Sequence, residues 1–124
     1  MPKLQNKSAL VTGGARGIGE AIARCFAREG ASVVIADMDA ENGARVADQI
    51  GGSFFEMDVS DENGWNRLAA VHPQIDIVVN NAGITGFEDS PGPHDPEHAS
   101  LSDWRRVHAV NLDGTFLGCR YAIV

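Results

Sequence analysis

Basic residues are scarce in this chain. Lys and Arg total 10 against 17 Asp and Glu, for a formal net charge of −7 and a pI near 4.9. A surface this acidic repels phosphate backbones, which excludes nonspecific nucleic-acid binding. Cysteine is equally sparse: Cys25 and Cys119 lie far apart in helical patterns, which excludes a disulfide framework and predicts two reduced core residues of a cytoplasmic protein. No apolar run approaches the roughly 20 residues of a membrane span. The opening segment, Met1 to Lys7, lacks the apolar stretch of a signal peptide, so the glycosylation-like Asn6-Lys7-Ser8 carries no weight. What these absences leave is a 124-residue chain, 44 % hydrophobic, that forms one domain or part of one and can bury a real core.

What is present centres on Thr12 to Glu20, TGGARGIGE. An apolar run, Ala9-Leu10-Val11, precedes it. A helical pattern follows, with Ile18, Ala21, Ile22, Cys25 and Phe26 on one face. Strand, glycine-rich turn and helix in that order hold phosphate: glycines let the backbone approach a ligand, and the helix start offers unpaired N–H groups. Val33-Val34-Ile35-Ala36 then predicts a second buried strand ending at Asp37. An acidic residue about 20 positions past the glycines can accept hydrogen bonds from an adenosine ribose. Dinucleotide binding follows from the pair; without a ligand the same residues would make an ordinary turn and a solvated aspartate.

The remaining pattern alternates. Strands are predicted at 7–12, 32–37, 53–58 and 75–80, and helices at 17–29, 40–50 and after Ser60, with a last helix from about Ser102 onward. Gly30 falls at a helix C-terminal glycine position. Val46, Ala47 and Ile50 form the buried face of the second helix, and Trp65, Leu68 and Ala69 that of the third, which Ser60 should cap. Repeated strand–helix units predict an α/β chain: a doubly wound parallel sheet with helices on both faces and right-handed crossovers. Repeats, linkers and low-complexity segments are absent.

Four motifs in order, Thr12-Gly13-x-x-x-Gly17-x-Gly19, Asp58-Val59, Asn80-Asn81-Ala82-Gly83 and Val110-Asn111, resemble those of the short-chain dehydrogenase/reductase family, classical type. The resemblance spans essentially all of residues 1–124 but only the N-terminal half of that family's Rossmann-type fold. It implies an oxidoreductase that transfers a hydride between NAD(H) and a small-molecule alcohol or carbonyl. Gly13, Arg16, Gly17, Ile18 and Gly19 would line the pyrophosphate and adenosine side, and Asp37 would hold the ribose hydroxyls. Asp58 and Val59 would contact adenine. Asn81, Ala82 and Gly83 would lie under the cofactor near the nicotinamide ribose. Asp37 repels a 2′-phosphate and so favours NAD over NADP; Arg16 occurs in phosphate-preferring members too, but like-charge contact outweighs an exposed arginine.

The family's hydride transfer uses a tyrosine, a lysine one helical turn later, a serine and an asparagine; the lysine lowers the tyrosine's pKa. Asn111 matches the asparagine. The one tyrosine, Tyr121, follows Asn111 within the same helix, and Val124 comes before such a lysine could. Tyr121 is therefore expected to pack or to face an interface. The 1–124 domain is expected to be a dinucleotide-binding unit truncated before the serine, tyrosine and lysine, inactive by itself, and poorly soluble or partly unfolded in isolation because the fourth strand's edge would be bare. The last helix, Trp104 to Tyr121, resembles the family's oligomer-forming helix and implies a dimer or tetramer.

Two alternatives stay open: a noncatalytic nucleotide-binding module or truncated product, and an S-adenosylmethionine methyltransferase, which would leave Asn80–Gly83 and Asn111 unexplained. The loop from Thr85 to Leu101 is longer than the family's usual connection, and it either borders the substrate or is a solvated insert. Within it, His94-Asp95-Pro96-Glu97-His98 matches H-x-x-E-H, a zinc-protease motif. That motif needs a helix to align both histidines, and Pro96 argues against one, so no metal is expected.

Overall fold

The computed structural model describes residues 1–89 and 92–124. Strands β1 (Ser8–Thr12), β2 (Ser32–Asp37), β3 (Ser53–Glu56) and β4 (Ile77–Val79) form one parallel sheet in the order β3-β2-β1-β4. Between them lie α1 (Gly17–Arg28), α2 (Ala40–Ile50) and α3 (Glu62–Val71). After β4 the chain makes a 3-10 turn at Pro96–His98. It then forms α4 (Leu101–His108), a π turn (Ala109–Asp113) and α5 (Gly114–Ile123). This is the Rossmann-type doubly wound sheet that the alternating pattern predicts.

Strand residues point alternately to the two faces, and each face has its own core. In register, Leu10, Val34 and Val78 pack with Met57, Trp65, Leu68 and Leu117 beneath α3 and α5. Val11, Ile35 and Val79 pack with Ala23, Val46 and Ala47 beneath α1 and α2. Strands buried on both sides are continuously apolar, which is why β1 and β2 stand out in the sequence.

Several expectations need correction. Ile18, Ala21 and Cys25 do not face the core: α1 docks through Gly19 and Ala23, and Ile18 remains 75 % exposed. The reason is steric. A Cβ on Gly19 would collide with the Gly13 carbonyl and come within 2.5 Å of Asn81 Nδ2, so the closest helix–sheet contact runs through the small residues rather than the large apolar ones. Cys25 and Cys119 are free but exposed, not buried. Ala69 is also exposed.

The cap of α3 is Asp61, whose side chain accepts from the Asn63 N–H, and not Ser60. Asp58 Oδ1 instead accepts from both the N–H and the hydroxyl of Ser60, at 2.9 and 2.7 Å. That local turn draws the chain away from the sheet, so β3 ends before Asp58. β4 is shorter than 75–80 because Asp76 is held beside β1 by its side chain, which accepts from the Ser8 N–H at 2.8 Å. The last helix begins at Leu101, capped by Ser100, and is broken by the π turn. Among the described residues, no helix is long and apolar enough to cross a membrane.

Candidate functional site

The carboxyl ends of β1, β2 and β4 open on a cleft of about 370 Å³. Its walls bring together Gly13, Arg16, Ile18, Asp37, Asp58, Val59, Asn81, Ala82 and Gly83, residues that lie far apart in the chain. Gly17 and Gly19 belong to the turn and first helical residues beside it. Met38 and Ile84 also line the cleft, and the sequence signalled neither; Val110, from the Val110-Asn111 motif, lines it too. Asn111 stands behind one wall, where it grips Ile84.

The start of α1 differs from the other helix starts that open from a loop. Side chains cap α2 through Asp39, α3 through Asp61 and α4 through Ser100. Arg16, at the start of α1, makes no capping hydrogen bond. The first N–H groups of α1 thus lack partners among the described residues, and they carry the positive end of the helix dipole. Gly17 has φ +58°, and a Cβ there would meet nothing within 4 Å. The turn is therefore open at Gly17. Gly13, with φ +66°, is tight on its inner side, 3.0 Å from Ala82 Cα for an added Cβ.

On the opposite rim, Asp37 accepts the Ala15 N–H at 3.1 Å on Oδ2 and the Asp39 N–H at 2.9 Å on Oδ1. Each oxygen keeps a further acceptor position, and the two bonds fix how the carboxylate is aimed. Val59 is buried, and its carbonyl accepts from Trp65 Nε1 at 2.8 Å, so this residue is held rigidly beside Asp58.

Thr12 joins the two sides of the site. Its hydroxyl, 1 % exposed, donates to the Val79 carbonyl at 3.3 Å and accepts from the N–H groups of Asn81 and Ala82, each at 3.0 Å. The Asn81 amide donates to the carbonyls of Thr12 and Gly13 at 3.1 and 3.2 Å. Asn81 thereby staples the end of β4 to the glycine turn. The signal for Thr12 was its place at the strand end before Gly13, but only the fold reveals that it holds Asn81.

The short chain dehydrogenase family model matches residues 7–124. The chain belongs to that family. It is 40 % identical to the mitochondrial borneol dehydrogenase of Lavandula x intermedia, over 97 % of this chain and 46 % of that protein. It is 41 % identical to the NADP-dependent (R)-specific alcohol dehydrogenase of Lentilactobacillus kefiri, over 98 % of this chain and 49 % of that one. Among solved structures, the 3-ketoacyl-(acyl-carrier-protein) reductase from Brucella melitensis, complexed with NADH, superposes with a TM-score of 0.85 at 35 % identity, covering 98 % of this chain and 50 % of that chain. This short-chain dehydrogenase chain thus spans about half the length of the relatives it matches.

Two sequence candidates lie away from the cleft. The Tyr121 hydroxyl donates to the His72 carbonyl at 2.7 Å, and its ring lies 5.7 Å from that of Trp65; burial pushes its pKa above the ordinary tyrosine value. It packs α5 against α3. In the H-x-x-E-H segment, a 3-10 turn separates the two histidines' roles: His94 stacks on Phe87, and His98 Nδ1 lies 2.5 Å from Asp95 Oδ1. The ligand atoms of Asp95, Glu97 and His98 lie within 4.8 Å of one another, all on exposed residues.

Proposed function

We propose that the chain forms the nucleotide-binding part of an oxidoreductase that uses NAD(H) and acts on a small-molecule alcohol or carbonyl. The observation that carries this reading is the uncapped start of α1, which faces a cleft whose far rim is Asp37. The N–H groups and the open glycine turn suit a pyrophosphate, and the aimed carboxylate suits a pair of ribose hydroxyls. The residues present therefore fit a dinucleotide, whose nicotinamide supplies hydride exchange when bound.

Gly13, Arg16, Gly17, Ile18 and Gly19 would hold the pyrophosphate and adenosine side. Asp58 and Val59 would hold adenine, and Asn81, Ala82 and Gly83 would lie beneath the nicotinamide ribose. Asn111 would serve the reacting end through its grip on Ile84. The negative charge of Asp37 supports NAD(H) over NADP(H), because a 2′-phosphate there would meet a like charge. By the family resemblance, the serine, tyrosine and lysine of the reaction would come from residues outside these 124, and the chain by itself would bind without turnover. Assembly into a dimer or tetramer through the last helical stretch is supported by Leu101, Leu112 and Phe116, each about 60 % exposed. The free cysteines Cys25 and Cys119 suit a reducing compartment and support a cytoplasmic protein.

The test is Asp37→Ala in the protein that carries this chain. NADH affinity should fall about 10-fold or more, the order expected for losing hydrogen bonds to a charged acceptor, and discrimination against NADPH should narrow. Unchanged affinity for both dinucleotides would overturn the ribose assignment.

A further inference from the structure

Beyond Ile84, the loop after β4 and the first turns of α4 enclose a second hollow of about 250 Å³. Two aromatic–imidazole pairs line it. The rings of Phe87 and His94 lie 4.3 Å apart, and those of Trp104 and His108 lie 4.2 Å apart. Phe87 remains 48 % exposed and Trp104 61 %. Large apolar rings left open around a concavity mark a ligand site more often than a plain surface. None of the four residues takes part in the dinucleotide reading.

The polar groups select the ligand. His108 Nδ1 lies 2.9 Å from the Trp104 carbonyl. A carbonyl only accepts, so Nδ1 carries the hydrogen, and Nε2 of the neutral ring is a bare acceptor. No other hydrogen-bond partner of His108 is present among the described residues. Each rim carboxylate already has a partner, Asp95 in His98 and Asp103 in Arg106 at 3.7 Å, with which a cationic ligand would have to compete. Their charge also disfavours an anion, which would have no hydrogen to offer Nε2.

We infer that this hollow is a small-molecule site for a neutral, phenol-type ligand, its flat ring held between the Phe87–His94 and Trp104–His108 pairs and its hydroxyl donating to His108 Nε2. This site is separate from the dinucleotide cleft, and its existence does not depend on what that cleft binds.

The experiment is calorimetric titration of the protein carrying this chain with p-cresol, toluene and p-toluate. The three share a ring and methyl group and differ in what they offer Nε2. Saturable p-cresol binding is expected, at least fivefold tighter than toluene, with p-toluate weakest. His108→Phe keeps a stacked ring but removes the acceptor; p-cresol affinity should fall to the toluene level while toluene affinity stays. Trp104→Ala should weaken both. Equal binding of p-cresol and toluene by the parent protein, a p-cresol preference that survives His108→Phe, or no saturation with p-cresol would each overturn the assignment. The His108→Phe comparison is a ratio within one protein, so it decides even if Trp104→Ala folds poorly. Failure of NADH to bind would count against the dinucleotide reading alone.

Discussion

Asn111 pairs with the backbone of Ile84 as one peptide pairs with another: its Oδ1 accepts the Ile84 N–H and its Nδ2 donates to the Ile84 carbonyl, both at 2.8 Å. The π turn that carries Asn111 thereby reaches across to the loop leaving β4, and Ile84 is a wall of the cleft. Asn111→Asp keeps the shape but replaces the donor with an oxygen facing a carbonyl. Stability should fall by about 1–2 kcal/mol at neutral pH, read from urea denaturation, and dinucleotide affinity should weaken with it. A variant as stable as the parent would show that the pairing contributes nothing.

Thr12→Val retains the volume of a buried side chain and deletes its hydroxyl. The N–H groups of Asn81 and Ala82 would then lack their acceptor, at about 1–3 kcal/mol for each group left buried without a partner. Thr12→Ser should recover most of that loss. If the valine variant unfolds at the parent's midpoint, the hydroxyl is not what holds the end of β4.

Gly19 and Gly17 make a matched pair for substitution by alanine. At Gly19 the new methyl group would collide with the Gly13 carbonyl, so α1 must shift and the turn with it; dinucleotide affinity should be lost. At Gly17 the space is open, and the cost is the positive φ alone, about 1–2 kcal/mol. The Gly17 variant should still fold, with a lower melting temperature. Equal behaviour of the two variants would show that packing against Gly13 does not position the helix.

Glu88 accepts hydrogen bonds from the N–H and hydroxyl of Thr85, at 2.6 and 2.9 Å, and from the Gly86 N–H at 2.9 Å. These, the Thr85 N–H foremost, hold its pKa down to about 2 from an ordinary value of 4.5. A carboxylate whose pKa is lowered on folding stabilises the native state above the unfolded pKa, and that contribution is lost as pH falls through the folded one. Melting temperature should therefore drop between about pH 4.5 and pH 2 in the parent protein. Glu88→Gln should lack that part of the drop. Superimposable acid profiles for the two proteins would contradict the assignment.

The sheet and most of the cleft were legible because their signals are local. β1 and β2 are short apolar runs, the turn between β1 and α1 is marked by its glycines, and Asp37 ends a strand. What escaped depended on contacts between distant residues. Helical spacing puts Ile18, Ile22, Cys25 and Phe26 on one apolar stripe, yet only Ile22 and Phe26 of these pack against the core; α1 buries Gly19 and Ala23, and the Gly13 carbonyl leaves no room for a side chain at Gly19. Periodicity locates apolar residues; it does not say which neighbouring stripe meets the sheet. Ser60 and Asp61 are both good caps, and the choice between them was made by Asp58, which took the Ser60 hydroxyl for itself. Met38 and Ile84 carry no motif, and the fold alone brings them to the cleft.

The bonds from Thr12 to Val79 and Ala82 join residues 67 and 70 positions apart. Closing so long a loop is entropically slow compared with pairing β1 to β2 or winding α1. The cleft's second wall is therefore expected to form later than its glycine turn, when the β4 segment docks beside Thr12. Competence to hold a ligand between the two walls should therefore appear only once β4 has docked beside β1.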